Sequence, residues 1–255
     1  MSVVRLLDLN IWNVNEPWTA RRERIVDLIA TAAPDVVALQ EVRYCDWIAD
    51  ARHQADQIID SLPGYRSVWQ PAHYWQPGEG HNTGRTEWEG LAILSPHPIV
   101  DRALLRLSRD PNDERDHFQR LVLGAQVRTP AGSFWTFNTH YPLSAQARTR
   151  VAAETLAFVE QVARGQAYAL TGDLNAEPED PPIHHLTGGL TDAWTAHRPG
   201  EPGYTFPAWG PFKRIDYVLV PPQVEVREIE ILGTVPDRET VSPSDHCALL
   251  ATLAI

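Results

Sequence analysis

The chain has 255 residues, of which 43% are hydrophobic and 22% are charged, and its formal net charge is −11. This balance is typical of a globular protein and excludes a disordered or fibrous one. The negative charge disfavours a protein that holds long DNA on a broad basic surface, because Lys and Arg supply most of the non-specific affinity for phosphate.

The N-terminal part of the chain predicts a strand, a helix and a second strand. Val3 to Asn10 is apolar and β-branched with a polar end, which is typical of a buried strand. Thr19 then precedes an amphipathic helix. Val36 to Leu39 predicts a second buried strand, and Glu41 follows at its C-terminal edge.

The next part of the chain has weaker signals. A helical pattern covers Trp47 to Ser61, and a short strand is expected from Tyr65 to Trp69. Pro71 to Glu89 is rich in Gly, His and Trp and is predicted as a long loop at the rim of a site, since structureless segments of that length are commonly functional. Four short strands are then expected, at Leu91–Leu94, Ile99–Leu107, Leu121–Val127 and Phe134–Asn138.

Ala145 to Arg164 is the longest helical pattern, and Tyr168 to Thr171 predicts the next buried strand. The remaining strand patterns are Arg214–Val220, Val224–Leu232 and Cys247–Leu253. Strands outnumber helices, and hairpins mix with crossovers. We therefore predict an α/β fold of two packed mixed β-sheets flanked by helices. No shift in composition marks a linker, so residues 1–255 are expected to form a single domain.

Cysteine usage and the N-terminus predict the compartment. Cys45 and Cys247 lie far apart in the sequence and form no paired metal or redox motif, which disfavours a disulfide framework. The apolar run at residues 3–7 ends at Asp8 and is too short for a signal peptide or a membrane span. We expect a cytoplasmic, monomeric protein without a transmembrane segment.

Polar residues stand where the apolar strand patterns end. They are Asn10, Glu41, His140, Asp173, Asn175, Asp216, Asp245 and His246. Strand ends hold side chains rigidly, so several of them can build one shared cleft. Glu41, Asp245 and Asn10 would offer the hard oxygen ligands that Mg²⁺ or Mn²⁺ requires.

The other residues of this set fit the hydrolysis of a phosphoester. Asp173 offers a base or a water-orienting carboxylate, and Asn175 offers an amide that can donate to a developing oxyanion. His140 and His246 are predicted as cationic donors to phosphate. Plainer interpretations stay open for single residues: a structural histidine at His140, an Asx turn at Asp173 and an edge-strand ion pair at Asp216. Only their joint occurrence favours chemistry.

Six sequence blocks in this order resemble the endonuclease/exonuclease/phosphatase superfamily. The blocks are Leu9–Trp12, Leu39–Val42, Asn138–His140, Gly172–Asn175, Arg214–Tyr217 and Ser244–His246. Each block is weak alone, but their order is specific and spans nearly the whole chain. The resemblance implies a four-layered α/β sandwich with the site at one edge of the two sheets.

The resemblance also implies a role for each residue. Asn10 and Glu41 would lie at the metal, and Asp245 at the metal or paired with His246. His140 and His246 would lie at the scissile phosphate, Asp173 would orient or deprotonate water, Asn175 would stabilise the transition state, and Asp216 would support or contact the site. Three further residues are candidates for substrate binding: Arg120 and Glu89, each with a plain surface role as the alternative, and Arg214.

The predicted function is divalent-metal-dependent hydrolysis of a phosphoester, by a phosphodiesterase or a phosphatase that uses an activated water. Asn175 to Pro178 resembles generic bacterial hydrolases of the superfamily. With the acidic charge, this favours a phosphorylated small molecule, nucleotide or lipid headgroup over long DNA. Two alternatives stay open: an abasic-site or single-strand DNA nuclease of the same superfamily, and a catalytically silent binding module. Aromatic residues such as Trp75 and Trp88 would favour the nuclease if they stack on bases.

Overall fold

The computed structural model describes residues 2–46, 52–76 and 86–255. The strands in these ranges are β1 (Val3–Asn10), β2 (Val36–Cys45), β3 (Arg66–Tyr74), β4 (Glu87–Ser95), β5 (Ile99–Arg106), β6 (Leu121–Thr129), β7 (Gly132–His140), β8 (Tyr168–Asp173), β9 (Thr191–Asp192), β10 (Asp216–Val220), β11 (Glu225–Leu232) and β12 (Ala248–Ala254). The helices are α1 (Trp18–Ala32), α2 (Gln54–Ile59), α3 (Ala145–Ala163), α4 (Pro181–Thr187) and α5 (Ala193–His197), with a 3₁₀ turn at Glu114–Asp116.

The strands form two six-stranded sheets. The strand order is β11-β12-β1-β2-β4-β3 in sheet A and β5-β6-β7-β8-β10-β9 in sheet B. In sheet A, β1 and β2 are parallel, as are β7 and β8 in sheet B, and the other neighbouring strands are antiparallel. Both sheets are therefore mixed, which confirms the predicted fold class.

The apolar core is divided into three layers of contact. One cluster, which includes Leu6 of sheet A and Phe134 of sheet B, takes residues from both sheets and lies between them. A second joins Ile25 of α1 to Leu39 of sheet A. A third packs Val159 of α3 against sheet B. The order of helices, sheet, sheet and helices confirms the four-layered sandwich.

The two-residue period of the strands decides which side chains lie between the sheets. On β1, Leu6 belongs to the cluster between the sheets, whereas Leu7 and Leu9 face the helices. Because successive side chains alternate, Asp8 and Asn10 share the face of Leu6, and both are buried. The polar end of the strand therefore points into the space between the sheets.

The same alternation makes one end of the inter-sheet space polar. The buried polar residues of this polar end are Asp8, Asn10, Gln40, Asn138, His140, Thr171, Asp173 and Asp216. Gln40 Nε2 donates to Asp8 within sheet A and, across to sheet B, to Asn138, each at 2.8 Å. Asn138 Nδ2 in turn donates to the backbone carbonyl of Leu39 at 2.8 Å. These bonds satisfy buried polar groups and fix the sheets relative to each other at the site.

Several predicted boundaries were wrong. β3 continues past Pro71 to Tyr74 and pairs with β4 from Glu87 onward, so the predicted loop from Pro71 to Glu89 is shorter. An edge strand tolerates proline because one side of it needs no ladder bonds. The central part of that loop, 77–85, and the start of the predicted helix, 47–51, lie outside the described residues.

The sequence predicted Glu41 just after the end of a strand, but Glu41 lies within β2. The pairing of β2 with β4 shifts between Leu39 and Val42, and Glu41 has a φ of 54°. Such a β-bulge redirects a side chain without ending the strand. The prediction also placed Asp216 where a strand pattern ends, but Asp216 is the first residue of β10.

Two further expectations concern the membrane and the cysteines. Within the described ranges, no helix has the length and apolar character needed to cross a bilayer. Cys45 and Cys247 are free and buried.

Candidate active site

A cleft of about 610 Å³ opens at the polar end of the inter-sheet space. The predicted residues that line it are Glu41, Glu89, Arg120, His140, Asp173, Asn175, Asp245 and His246. Asn10 and Asp216 are buried and hydrogen-bond to lining residues. Residues far apart in the sequence thus converge on one cleft.

Asp173 lies at the centre because of the strand register. It is the last residue of β8 and is paired with His140 of β7 and with Asp216 of β10. The preceding Gly172 has a φ of 142°, and a Cβ added there would lie 1.9 Å from the backbone oxygen of Thr139. Only glycine allows β7 and β8 to approach this closely with that backbone conformation.

The Asp173 carboxylate is held by both of its oxygens. Oδ1 accepts from the backbone N–H of Asn175 at 2.8 Å, and Oδ2 accepts from Asn10 Nδ2 at 3.0 Å. Burial raises the pKa of Asp173 to about 7, helped by the charge of Asp216 and opposed by His246. A carboxylate that titrates near neutral pH suits proton transfer.

His140 is a neutral donor. Its Nδ1 lies 2.9 Å from Arg120 Nη1. Because arginine only donates, Nδ1 must accept, and the ring hydrogen is on Nε2, 3.5 Å from Asp173 Oδ2. Burial, together with the charges of Arg120 and His246, holds the pKa of His140 well below its usual value. The predicted cationic role of His140 was therefore wrong.

His246 is the opposite case. Its Nδ1 lies 3.0 Å from both carboxylate oxygens of Asp216, and its Nε2 lies 3.8 Å from Asp173 Oδ2. Burial alone would lower the pKa of His246, but Asp216, Asp173 and Asp245 outweigh burial and raise it well above the usual value. The imidazolium fits the predicted cationic donor, and Asp216 orients its ring.

Glu41 is fixed by two asparagines. Asn10 Nδ2 donates to Glu41 Oε1 at 3.1 Å, and Asn13 Nδ2 donates to Oε2 at 3.0 Å. Asn10 Oδ1 accepts from the backbone N–H of Trp12 at 3.0 Å. Asn10 therefore links Glu41 to Asp173 through its amide nitrogen, and its oxygen accepts from the backbone. Its predicted role as a metal ligand stays a prediction.

Glu41 and Asp245 are the two carboxylates that best fit a metal ion. Both line the cleft. Burial raises the pKa of Asp245 to about 6, and the like charge of Glu41 adds to this rise, although His246 opposes it. A divalent cation between hard oxygens would remove this repulsion. A second group of possible ligand atoms, from Asp173, Asp216 and His246, lies within 4.8 Å of one another, but His246 Nδ1 already bonds Asp216.

Arg21 is a supporting residue that the sequence did not reveal. The buried guanidinium donates to five backbone carbonyls, those of Ile11, Trp12, Asn13, Asn15 and Pro243. These bonds join the loop after β1 to the segment that carries Asp245. Burial lowers the pKa of Arg21 to about 10, opposed by Asp245 and Glu41. The sequence does not distinguish Arg21 from an arginine on the surface of a helix. Asp8, in contrast, is detectable in the sequence as a charged residue within an apolar strand pattern.

The three predicted substrate-binding residues have different positions. Arg120 and Glu89 line the cleft, with Arg120 Nη1 3.8 Å from Glu89 Oε1. Burial and the charge of Glu41 raise the pKa of Glu89 to about 7, opposed by Arg120. Arg214 does not line the cleft. It is buried in an ion pair with Asp192 at 2.7 Å and lies over the ring of Tyr217, on the helix side of β10. The structure contradicts a substrate contact for Arg214.

Residues 11–246 match the model of the Endonuclease/Exonuclease/phosphatase family. No curated protein matches the chain by sequence. Among solved structures, an endonuclease/exonuclease/phosphatase from Bacteroides vulgatus is similar, with 23% identity, a TM-score of 0.78 and 99% of each chain covered.

Two other solved structures are also similar. A mannosyl-6-phosphatase from Bacteroides thetaiotaomicron has 21% identity and a TM-score of 0.75, with 99% of this chain and 100% of that chain covered. The catalytic domain of human Nocturnin, with a bound sulfate anion, has 23% identity and a TM-score of 0.76, with 98% of this chain and 94% of that chain covered. At these identities, the likeness shows a shared fold.

Proposed function

Because the chain belongs to the endonuclease/exonuclease/phosphatase family, we propose that it is a divalent-metal-dependent hydrolase of phosphoester bonds that uses an activated water. One observation carries this proposal. Asp173 lies between a neutral and a cationic histidine, His140 and His246, in a cleft that also contains the carboxylates of Glu41 and Asp245.

Asp173 is proposed to orient and deprotonate the attacking water. Its pKa of about 7 lets the carboxylate accept a proton near neutral pH. The backbone N–H of Asn175 holds one carboxylate oxygen in place. Asn175 Nδ2 donates one hydrogen to the carbonyl of Tyr141 at 3.0 Å, so its second hydrogen can donate to charge that develops on the phosphoryl group.

The two histidines and Arg120 are proposed to hold the phosphate. His246 would contribute a charge-assisted hydrogen bond, and His140 a neutral one through Nε2. Arg120 fixes the tautomer of His140 through its bond to Nδ1. Asp216 acts through His246, because its carboxylate keeps the ring oriented and charged. Asp216 is thus a positioning residue.

Glu41 and Asp245 would hold a Mg²⁺ or Mn²⁺ ion, with Asn10 and Asn13 orienting Glu41. When bound, the cation supplies Lewis-acid polarisation of phosphoryl oxygens. The donor set fits such an ion, since it consists of carboxylate oxygens whose like charges raise the pKa of Asp245.

The proposed substrate is a phosphorylated small molecule, nucleotide or lipid headgroup rather than long DNA. The net charge of −11 opposes a broad DNA-binding surface, whereas the cleft itself contains several cations. One structural neighbour is described as a mannosyl-6-phosphatase. The single-domain organisation, a monomeric state and a cytoplasmic location stay predictions from the sequence.

A substrate panel tests the proposal. The wild-type protein is incubated with p-nitrophenyl phosphate, bis-p-nitrophenyl phosphate, sugar phosphates and a DNA oligomer with an abasic site, each with Mg²⁺, Mn²⁺ or EDTA. We expect metal-dependent release of product from at least one small ester and none in EDTA. Failure to cleave any phosphoester with either metal would contradict the proposed chemistry. Much faster cleavage of the DNA oligomer would overturn the proposed substrate class alone.

A further inference from the structure

One wall of the cleft carries a pair of arginines that the proposed mechanism does not use. Arg115 belongs to the 3₁₀ turn, and Arg148 lies near the start of α3. Both line the cleft. They are close enough for the charge of Arg115 to contribute to the lowered pKa of Arg148, behind burial as the main cause. We call these two residues the arginine pair.

The fold holds the arginine pair in place. Asp113 accepts hydrogen bonds from the Ser144 hydroxyl at the N-terminus of α3 and from the backbone N–H of Arg115. On the other side of the turn, Asp116 accepts from Arg150 of α3. The 3₁₀ turn is therefore attached to α3 at both of its ends. These attachments hold Arg115 near the start of α3, where Arg148 lies.

The charges of the arginine pair are poorly compensated. The side chain of Arg148 is 14% exposed, and its ion pair with Asp180 Oδ2 is long, at 4.0 Å. It donates to the carbonyl of Leu143 at 3.0 Å, but its buried Nε has no hydrogen-bond partner. Among the described residues, none forms a hydrogen bond or an ion pair with the guanidinium of Arg115.

Other arginines of the cleft are already engaged. Arg120 bonds His140 and lies near Glu89. Arg43 forms an ion pair with Glu87 and lies over the ring of Trp75. Among the described residues of the cleft, Arg115 and Arg148 are two like charges with unused donors. An anion that binds both guanidinium groups would remove the repulsion and satisfy the donors.

The position of the pair limits what this anion is. The charge of Asp173 acts on Arg148, so the pair lies within electrostatic reach of the reaction centre. The scissile phosphate, however, is assigned to His140 at the end of β7 and to His246 just before β12. Two carboxylates, Glu177 and Asp180, also line the cleft, and Asp180 lies 4.0 Å from Arg148. They would repel an extended polyanion and so favour a compact molecule.

We propose that the arginine pair binds a second phosphate group on the same small substrate whose first phosphate is hydrolysed. The description of this molecule as a substrate rests on the proposed function, whereas its binding to the arginine pair does not require turnover. The substrate class would then be compact molecules with two phosphate groups, and the arginine pair would determine specificity for the second one.

Binding of phosphonates tests this, because the carbon–phosphorus bond is not hydrolysed. Calorimetry with Mg²⁺ present compares propylphosphonate with α,ω-alkane bisphosphonates of three to five carbons. We expect at least one bisphosphonate to bind the wild type about tenfold or more tighter than propylphosphonate, and Arg115→Gln and Arg148→Gln each to remove most of this advantage. Arg148→Lys should retain part of it. The control Arg102→Gln, at an exposed arginine of β5 outside the cleft, should retain all of it.

Two results would overturn the inference: no bisphosphonate binds tighter than propylphosphonate, or the advantage persists in both glutamine variants. Arg115 is exposed, so its variant remains informative even if Arg148→Gln fails to fold, which thermal melting would reveal. If the glutamine variants lose the bisphosphonate advantage but the wild type cleaves no phosphoester, the anion site is supported and the hydrolase is contradicted. If the wild type cleaves a phosphoester but the glutamine variants keep the advantage, the hydrolase is supported and the anion site is contradicted.

Discussion

The space between the two sheets has an apolar end and a polar end, and the same strands build both. On β1, Leu6 belongs to the apolar end and Asn10 to the polar end. On β7, Phe134 and His140 have the same relationship. The backbone pattern continues without a break while the side chains change from hydrocarbon to hydrogen-bonding groups. The comparison teaches that this site is a continuation of the core along the same strand faces.

The two ends differ in what they contribute to stability. Burial of apolar side chains stabilises the fold by about 25 cal/mol for each Å² removed from water. At the polar end, burial raises the pKa values of Asp8, Asp173 and Asp245, which means that their charged forms are unfavourable there. The polar end therefore costs stability and is retained for its chemistry.

The largest effect is expected from a change at the polar end. Asp173→Asn keeps the size of the side chain but removes the proposed base. We expect kcat to fall by a factor of about 10² to 10⁴, with little change in the melting temperature. The control is Asp101→Asn, at an exposed position of β5, which should leave kcat and melting unchanged. If Asp173→Asn retained wild-type kcat, the difference between the two ends would not be catalytic.

The matching change at the apolar end is Leu6→Ala. Leu6 is fully buried between the sheets, so its truncation leaves a cavity that should lower the free energy of unfolding by about 2–5 kcal/mol. Urea unfolding measures this loss. Below the unfolding transition, kcat per folded molecule should stay within about twofold of the wild type. A loss of kcat as large as that of Asp173→Asn would show that the two ends are not separable.

A smaller effect is expected where the ends meet. Burial raises the pKa of Asp8 well above its usual value, helped by the charge of Asp216 and opposed by the hydrogen bond from Gln40. The folded state thus holds this proton more tightly than the unfolded state does. The contribution of this proton binding to the free energy of unfolding is fully present below pH about 4 and decreases as the pH rises toward the pKa of Asp8 in the folded state.

Asp8→Asn should remove this dependence, because asparagine resembles the protonated carboxyl group. We expect the variant to be more stable than the wild type by about 1 kcal/mol at neutral pH, with the difference disappearing toward pH 4. Urea unfolding of both proteins across this pH range measures it. A difference that stays constant with pH, or a wild type that gains stability as the pH rises, would mean that Asp8 is ionised in the folded protein.

The sequence predicted the layers of the fold and most of the lining of the site. The alternation in β1, β7 and β8 carries both kinds of information, since it indicates a buried strand and shows where polar residues enter it. Asp173 and His140 were identified for this reason. Boundaries were less predictable where pairing overrides local signals, as at Pro71 in β3 and at the bulge around Glu41.

Charge states and long-range partners could not be predicted from residue types. The neutral state of His140 depends on Arg120, which approaches from another strand end. The role of Arg21 depends on five carbonyl groups that only the folded chain brings together. Arg214 was proposed only as one of the arginines that could offset the acidic charge locally, whereas its side chain lies on the helix side of β10 and bonds Asp192.

The most direct test combines Mn²⁺ calorimetry with turnover of whichever small ester of the panel is cleaved fastest, in the wild type and in Glu41→Gln. Glu41 is held by Asn10 and Asn13 and faces Asp245 across the cleft. We expect the wild type to bind Mn²⁺ and turn over the ester, and Glu41→Gln to weaken Mn²⁺ binding and lower turnover in parallel, each by about tenfold or more. Mn²⁺ binding and turnover that are both unchanged in Glu41→Gln would contradict the proposed metal centre. Mn²⁺ binding by a wild type that hydrolyses no phosphoester would instead identify a catalytically silent binding module.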